Sequence, residues 1–156
     1  ACKILAELKC PFVINQNRYS IFDRTIENNG LKQTAARLNK GIIAFSPLAQ
    51  GLLTNRYLNG IPSDSRAARD NRFLKKSAIT EEKLTQIKGL SKIAEERGQT
   101  LAEMALAWVL KDTVITSVLI GASKSEQILD NIKAIQNTSF SSDELEMIDK
   151  ISIEVC

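Results

Sequence analysis

Residues 117–131 read Ser-Val-Leu-Ile-Gly-Ala-Ser-Lys-Ser-Glu-Gln-Ile-Leu-Asp-Asn, an apolar run that stops at Gly121 and passes into a helical pattern at Ser123. Ser123 and Glu126 have the spacing of a capping box, which pairs two free amides where a helix begins. A strand that ends in glycine and enters a helix N-terminus presents amide donors and the positive end of the helix dipole, which suits a phosphate. An ordinary capped helix with a solvated face is the alternative that this stretch leaves open. The helix is also expected to bury an apolar face, formed by Ile128, Leu129, Ile132 and Ile135.

The composition is typical of one globular domain. The chain has 156 residues, 44% of them apolar and 25% charged, and we predict a single domain over residues 1–156. Its net charge of +3 is small for a nucleic-acid binder, so we predict no nucleic-acid partner. No apolar run approaches the roughly 18 residues of a membrane span, and no signal-like segment precedes the first helix. We therefore predict a cytoplasmic protein with no membrane partner.

The inventory of reactive side chains excludes two kinds of site. Cys2, Cys10 and Cys156 are odd in number and lack a C-x-x-C spacing, so neither a disulfide framework nor a zinc site is indicated. The chain contains no histidine, which is the commonest metal ligand and the commonest general base. We predict no metal site.

Short apolar runs alternate with helical patterns along the chain. We predict buried strands at residues 12–14, 42–45 and 115–120, with Gln16 near the carboxyl end of the first. Capping boxes that start at Thr100 and Ser141 begin two further helices, and the first of these is apolar almost all round and expected to be buried. The alternation indicates an α/β protein with a parallel sheet, in which ligands bind at the carboxyl ends of the strands.

Three parallel strands cannot close a barrel, and an open sheet has two unpaired edges. The chain also begins within a helical pattern at residues 2–9 and without an initiator methionine, so we expect further sequence upstream. The open edges predict a possible homo-oligomer.

A long irregular stretch, residues 47–79, separates the second strand from the next clear helix. A connection of this length inside a compact domain is usually a lid or a binding loop. Its six basic and two acidic residues give a local charge of +4, against +3 for the whole chain. A solvated loop with arginines on its surface is an equally acceptable interpretation.

Three motifs together resemble the aldo-keto reductase superfamily, in particular the bacterial reductases that are similar to potassium channel β-subunits. The first is Phe45-Ser46-Pro47-Leu48-Ala49-Gln50-Gly51-Leu52-Leu53-Thr54. The second is Gly60-Ile61-Pro62 with Ser65-Arg66, and the third is Ile120-Gly121-Ala122-Ser123-Lys124-Ser125-Glu126-Gln127. Gln16 with Tyr19 matches the same branch, so the resemblance covers nearly the whole chain.

The resemblance implies part of a (β/α)8 TIM barrel, namely strands six to eight with their helices and the C-terminal extension. It implies that Gln16 holds the nicotinamide carboxamide and that Phe45 stacks on the nicotinamide ring. It further implies NADP(H) as cofactor, since the basic loop suits a 2′-phosphate. The pyrophosphate would lie along Ser46, Pro47, Leu48, Ala49, Gln50 and Gly51, beneath Arg56 and Arg66. The adenosine end would be held by Gly121, Ser123, Gln127, Asp130 and Asn131.

The family's catalytic aspartate, tyrosine, lysine and histidine are carried on earlier strands, and no residue of this chain is assigned a catalytic role. Its two tyrosines, Tyr19 and Tyr57, match other positions. The leading hypothesis is the C-terminal part of an NADP-dependent reductase of small aldehydes or ketones, with the isolated chain inactive in carbonyl reduction. The alternatives are a non-catalytic nucleotide-sensing or regulatory module and a truncated product with no function of its own.

Overall fold

The computed structural model describes residues 1–58, 60–62 and 74–153. Its strands are β1 (Ile14–Arg18), β2 (Gly41–Phe45) and β3 (Ile115–Leu119). The helices are α1 (Cys2–Glu7), α2 (Thr25–Asn28), α3 (Leu31–Arg37), α4 (Glu81–Glu96), α5 (Leu101–Val109), α6 (Ser125–Ile132) and α7 (Ser142–Ser152). The described residues also contain four 3₁₀ turns: Ala49–Gly51, Asn55–Tyr57, Lys76–Ala78 and Lys133–Gln136.

The three strands form one parallel sheet in the order β1-β2-β3, as the sequence predicts. Arg18 lies opposite Phe45, and Phe45 lies opposite Leu119, so all three strands end on the same rung. The pairing of β2 with β3 is irregular between Ile42 and Ile43. One edge of the sheet therefore collects the carboxyl ends of all three strands.

Within the described residues, helices cover one face of this sheet and not the other. Ile42 and Ala44 point into the core and are fully buried, whereas their neighbours Ile43 and Phe45 are only partly covered. The uncovered side, called the open face below, consists of Ile14, Gln16, Arg18, Ile43, Phe45, Ser117 and Leu119. In most parallel sheets both faces are covered by other parts of the protein, so the open face is of a kind that normally lies inside a fold.

The core lies between the sheet and the long helices. Helix α5 is buried along almost its whole length, as its all-round apolar pattern predicts, and Trp108 is 1% exposed. Helix α4 turns Ile87, Leu90 and Ala94 inward at helical spacing. The capping boxes predicted at Thr100 and Ser141 are both formed.

Two local predictions are wrong. Residues 12–14 are not the first strand: β1 begins at Ile14, and Val13 is 76% exposed, so Gln16 lies in the middle of β1 rather than at its end. The apolar side of α6 is also not buried, although the helix contacts α5. The exposed residues on this side include Ile128, Leu129, Ile132 and Ile135.

Candidate cofactor site

The open face brings two of the predicted cofactor residues together. Gln16 lies opposite Ile43, and Phe45 follows two residues later on the same side of β2. The side chains of Gln16 and Phe45 are therefore diagonal neighbours on adjacent strands. An amide and an aromatic ring in this arrangement can bind the carboxamide and the plane of a nicotinamide.

Arg18 is a third member of this group, which the sequence did not single out. Its guanidinium carbon lies 5.9 Å from the centroid of the Phe45 ring, and its Nε is 3.9 Å from a carboxylate oxygen of Asp23. The Arg18 side chain is 56% exposed, so both contacts are loose. The signal that could have identified it is the alternation of β1, which places residues 14, 16 and 18 on one face.

The loop that follows β2 has an unusual backbone. Ser46, Ala49 and Gln50 have φ values of 53°, 46° and 60°, the left-handed region that side chains other than glycine rarely adopt. Gly51 follows with φ of 96°, where a side chain would be strained. Such outliers persist where the surroundings impose them, and they cluster at ligand sites. The amides of Ala49 and Gly51 donate to the Ser46 and Leu48 carbonyl oxygens at 3.0 and 2.8 Å, so backbone hydrogen bonds close this turn.

Side chains brace this loop from within. Gln50 Nε2 donates a hydrogen bond to Ser46 Oγ at 3.0 Å, and Thr54 Oγ1 donates one to the Gly51 carbonyl at 2.7 Å. Leu53 and Tyr57 are buried and anchor the loop to the core. The predicted pyrophosphate segment, residues 46–51, is thus a braced turn that leaves the last rung of β2, with Pro47, Leu48 and Ala49 at its centre.

The segment after β3 differs from its prediction in detail. Helix α6 begins at Ser125, not Ser123, and its N-cap residue Lys124 makes no side-chain capping bond, so the predicted capping box is wrong. The Ser123 amide and hydroxyl instead both donate to Gln127 Oε1, at 2.8 and 3.2 Å. Gln127 thereby satisfies the Ser123 amide and holds Ser123 beside the first turn of α6.

The residues predicted for the adenosine end are not all oriented alike. Gly121, Ser123, Gln127 and Asp130 are exposed, and Asp130 pairs with Lys133 at 2.8 Å. Asn131 was expected on the outward stripe but is 9% exposed. It lines a cavity of about 320 Å³ between α5, β3 and α6.

Of the two arginines predicted over the pyrophosphate, one is described. Arg56 lies in the 3₁₀ turn Asn55–Tyr57, and its amide donates to Thr54 Oγ1 at 3.3 Å. Arg66 lies outside the described residues. Within the described part of the chain, no group of three histidine, cysteine or acidic residues could hold a metal ion. In the same part, no helix is long and apolar enough to cross a membrane.

A partly buried charged cluster surrounds Tyr19, the residue after β1, and the sequence analysis missed it. We call Tyr19, Glu27, Lys32, Lys111 and Asp112 the Tyr19 cluster. The Tyr19 hydroxyl donates to a Glu27 carboxylate oxygen, and it accepts from Lys32 Nζ at 3.1 Å and Lys111 Nζ at 3.0 Å. Lys32 also pairs with Asp112 at 2.7 Å. These five residues are scattered in sequence, so no spacing could have indicated them.

Burial and charge shift the acidities of the cluster. Burial, and then the neighbouring Glu27 carboxylate, raise the pKa of Tyr19 above its ordinary value. Burial, and then the adjacent Lys32, lower the pKa of Lys111 to about 8. For Glu27, burial alone would raise the pKa, but the Tyr19 hydrogen bond and the two lysines hold it below its usual value. A fully buried tyrosine with a raised pKa is a poor proton donor, so we assign Tyr19 no acid role.

A parallel sheet, helices on its outer face and ligand-type residues at the carboxyl ends of its strands define a portion of a βα barrel. Comparison with known proteins gives the family. The chain belongs to the aldo/keto reductase family, whose profile matches residues 1–153.

Among curated proteins, the chain is 46% identical over 151 residues to L-glyceraldehyde 3-phosphate reductase of Escherichia coli, in both strain K12 and O157:H7. That match covers 95% of this chain and 44% of the relative. A probable voltage-gated potassium channel subunit beta of Oryza sativa subsp. japonica is 35% identical over 125 residues, which cover 79% of this chain and 38% of the relative. The chain thus spans less than half the length of these relatives.

Among solved structures, a glycerol dehydrogenase from Gluconobacter oxydans superposes with a TM-score of 0.76 at 28% identity, covering 96% of this chain and 45% of that one. An aldo-keto reductase from Bacillus halodurans gives a TM-score of 0.69 at 22% identity, covering 99% and 47%. The predicted family and the predicted fold class, part of a TIM barrel, are confirmed. The roles assigned to individual site residues remain predictions.

Proposed function

We propose that this chain supplies the cofactor-binding part of an NADP-dependent aldo-keto reductase that reduces a small aldehyde or ketone to an alcohol. Bound NADPH would supply a hydride to the carbonyl carbon, and a group elsewhere in the barrel would supply a proton to the carbonyl oxygen. In this proposal the open face binds the nicotinamide, the turn at residues 46–51 binds the pyrophosphate, and the start of α6 binds the adenosine end.

The observation that carries the proposal is the coincidence of Phe45 with the turn that follows it. An aromatic residue on the last rung of β2 leads directly into a braced turn of left-handed residues. In a dinucleotide the nicotinamide nucleoside is joined directly to the pyrophosphate. The residues proposed to bind these two groups, Phe45 and the turn at residues 46–51, are likewise adjacent in the chain. The reductase among the relatives supports the reaction class.

The proposal assigns this chain no catalytic residue. The chain has no histidine, and Tyr19 is buried with its hydroxyl in an ionic cluster. The proton donor therefore belongs to the portion of the family's barrel that this chain does not span. The isolated chain is expected to bind NADPH without turning it over.

A nucleotide-sensing or regulatory module is the second candidate, and the potassium channel β-subunit relative is the observation that favours it. Both candidates require NADP(H) binding. They differ in activity once the chain is joined to a complete barrel: the reductase oxidises NADPH with an aldehyde, whereas the sensor holds the cofactor without turnover.

Isothermal titration calorimetry of the purified chain tests the proposal. We expect saturable binding of NADPH, and weaker binding of NADH because NADH lacks the 2′-phosphate. If the chain, shown to be folded by circular dichroism, binds neither nucleotide at millimolar concentration, the proposal is wrong.

The open edges of the sheet are the basis of a related proposal, about self-association of the chain. Val13 beside β1 and Leu119 in β3 are large apolar residues that are 76% and 46% exposed. In a complete barrel, neighbouring strands cover both edges. For the chain alone we propose self-association through these edges, which sedimentation velocity measures as a concentration-dependent dimer.

A further inference from the structure

Tyr19 connects the buried interior to the residue proposed to stack on the nicotinamide. It follows β1 directly and is fully buried. Its main-chain amide donates a hydrogen bond to the Phe45 carbonyl oxygen at 3.3 Å, which continues the β1–β2 ladder one residue beyond β1. The position of Phe45 along the open face is therefore linked directly to the position of the Tyr19 backbone.

The Tyr19 side chain is fixed from several directions. Its hydroxyl is bonded at once to Glu27 of α2, Lys32 of α3 and Lys111, which follows α5. Hydrogen bonds to charged partners are stronger than neutral ones and impose tighter geometry. Three elements of the helical layer thus meet at one oxygen atom.

The rings beneath this oxygen add a second constraint. The Tyr19 and Trp108 rings lie 5.2 Å apart between centroids, at an angle of 35°. Lys111 Nζ lies 3.4 Å from the centroid of the Trp108 ring, and the Arg24 guanidinium lies 4.6 Å from it. Cation–π contacts strengthen as the cation loses water, and both cations are largely covered, so the aromatic pair is held firmly.

The open edge of the sheet explains why such an anchor matters. In the described chain β1 has one strand neighbour, β2, and its other edge is unpaired. The end of an edge strand is the part of a sheet that shifts most easily. A buried anchor immediately after Arg18 restricts that movement.

Resting on the cofactor site proposed above, we propose that Tyr19 is a positioning residue of the nicotinamide subsite. Anchored by Glu27, Lys32 and Lys111, it fixes the end of β1 against Phe45, so that the amide of Gln16 and the ring of Phe45 are held in the spacing that one nicotinamide requires. Tyr19 itself touches neither cofactor nor substrate.

The test compares two ligands that share only the adenosine end. NADPH uses the nicotinamide subsite, whereas 2′,5′-ADP does not reach it. We expect Tyr19→Phe, which keeps the ring and removes the hydroxyl, to weaken NADPH binding about fivefold and to leave 2′,5′-ADP binding unchanged. Lys111→Met keeps Tyr19 and most of the contact with Trp108, and it is expected to act in the same direction if Tyr19→Phe does not fold.

Arg97 offers a matched control. Its side chain, 4% exposed, donates to Glu144 of α7 at 2.6 Å and lies over the Phe140 ring, in a cluster that shares no residue with the Tyr19 cluster. Arg97→Met is expected to lower the melting temperature and to leave the ratio of the two affinities unchanged. Reduced stability alone would therefore not reproduce the effect of Tyr19→Phe.

Each outcome decides the inference. A selective loss of NADPH affinity in Tyr19→Phe or Lys111→Met supports it. Equal losses for both ligands, or no loss in a folded variant, overturn it while the proposed function stands. If the unchanged chain binds neither ligand, the proposed function is what fails, and the inference fails with it.

Discussion

The guanidinium of Arg18 lies over the ring of Phe45, 5.9 Å from its centroid, on the face of the sheet that no described helix covers. The two residues are register partners on β1 and β2. A cation beside an aromatic ring is worth about 0.5–1 kcal/mol at an exposed site. The contact is therefore weak enough for a nicotinamide to displace it, but the positive charge of Arg18 stays nearby.

This charge leads to a prediction about the redox state of the cofactor. The nicotinamide ring is positively charged in NADP⁺ and neutral in NADPH, so Arg18 opposes the oxidised form. Two charges about 6 Å apart in a wet site interact by roughly 0.7 kcal/mol, or about threefold in affinity. Arg18→Gln is expected to strengthen NADP⁺ binding by that factor and to leave NADPH binding unchanged, as calorimetry with both forms will measure. An equal change in the affinities for NADP⁺ and NADPH would show that Arg18 does not belong to the nicotinamide subsite.

Phe45 itself provides the second prediction. Phe45→Leu removes the flat surface on which the nicotinamide is proposed to stack, and with it about 1 kcal/mol of aromatic interaction. We expect NADPH affinity to fall about fivefold in Phe45→Leu and to be retained or improved in Phe45→Trp, whose ring is larger. Fluorescence of bound NADPH measures both. Unchanged NADPH affinity in Phe45→Leu would contradict the stacking role.

A third prediction compares a helix cap that the structure contains, at Thr100, with one that the sequence predicted but the structure lacks, at Ser123. Thr100 Oγ1 accepts from the Glu103 amide at 3.2 Å, within a complete capping box. Thr100→Ala should lower the free energy of unfolding by about 1 kcal/mol. Ser123→Ala removes no capping bond of α6 and should cost less than about 0.5 kcal/mol. Urea denaturation of both variants checks the difference, and equal costs would mean that Ser123 caps the helix after all.

The Tyr19 cluster gives a fourth prediction, on pH. Burial lowers the pKa of Lys111 from 10.5 to about 8. Below pH 8 the amine is protonated in the folded and the unfolded chain alike. Between about pH 8 and 10.5 the unfolded chain keeps the proton that the folded chain has lost, so Lys111 makes the free energy of unfolding rise with pH in this window.

The comparison with Lys111→Met isolates this contribution. From pH 7.5 to 9.5 the wild-type chain should gain about 2 kcal/mol over the variant in urea denaturation. The other groups that face Lys111 are Tyr19, Arg24, Glu27, Lys32 and Asp112. These groups are present in both proteins, so their contributions to the pH dependence of the free energy of unfolding largely cancel in the comparison. Parallel pH profiles would show that Lys111 keeps its ordinary pKa.

The sequence predicted what depends on local pattern. The parallel sheet, the buried helix α5 and the capping boxes at Thr100 and Ser141 each follow from apolar periodicity or a short spacing, and all are present. The family likewise followed from contiguous motifs. The residues assigned to the site, the single-domain description and the compartment remain predictions.

What the sequence did not predict depends on tertiary context. Residues 12–14 are apolar enough for a strand, but β2 pairs with the polar residues that follow them, so β1 begins at Ile14. The apolar spacing of Ile128 and Ile132 indicates a buried face, whereas these residues are 45% and 52% exposed. Ser123 and Glu126 have capping spacing, but Gln127 takes both hydrogen bonds of Ser123. A sequence pattern indicates which contacts a residue can make, and the surrounding tertiary structure determines which of those contacts form.

A nitrogen-15 NMR titration of the chain with NADP⁺ tests the central claim most directly, since it locates the bound nucleotide residue by residue. The account predicts saturable shifts at the amides of Phe45, Gln50, Gly51 and Ser123, and small shifts around Arg97. Saturable shifts confined to the far side of the sheet, or no shifts at millimolar NADP⁺ in a folded chain, would contradict it.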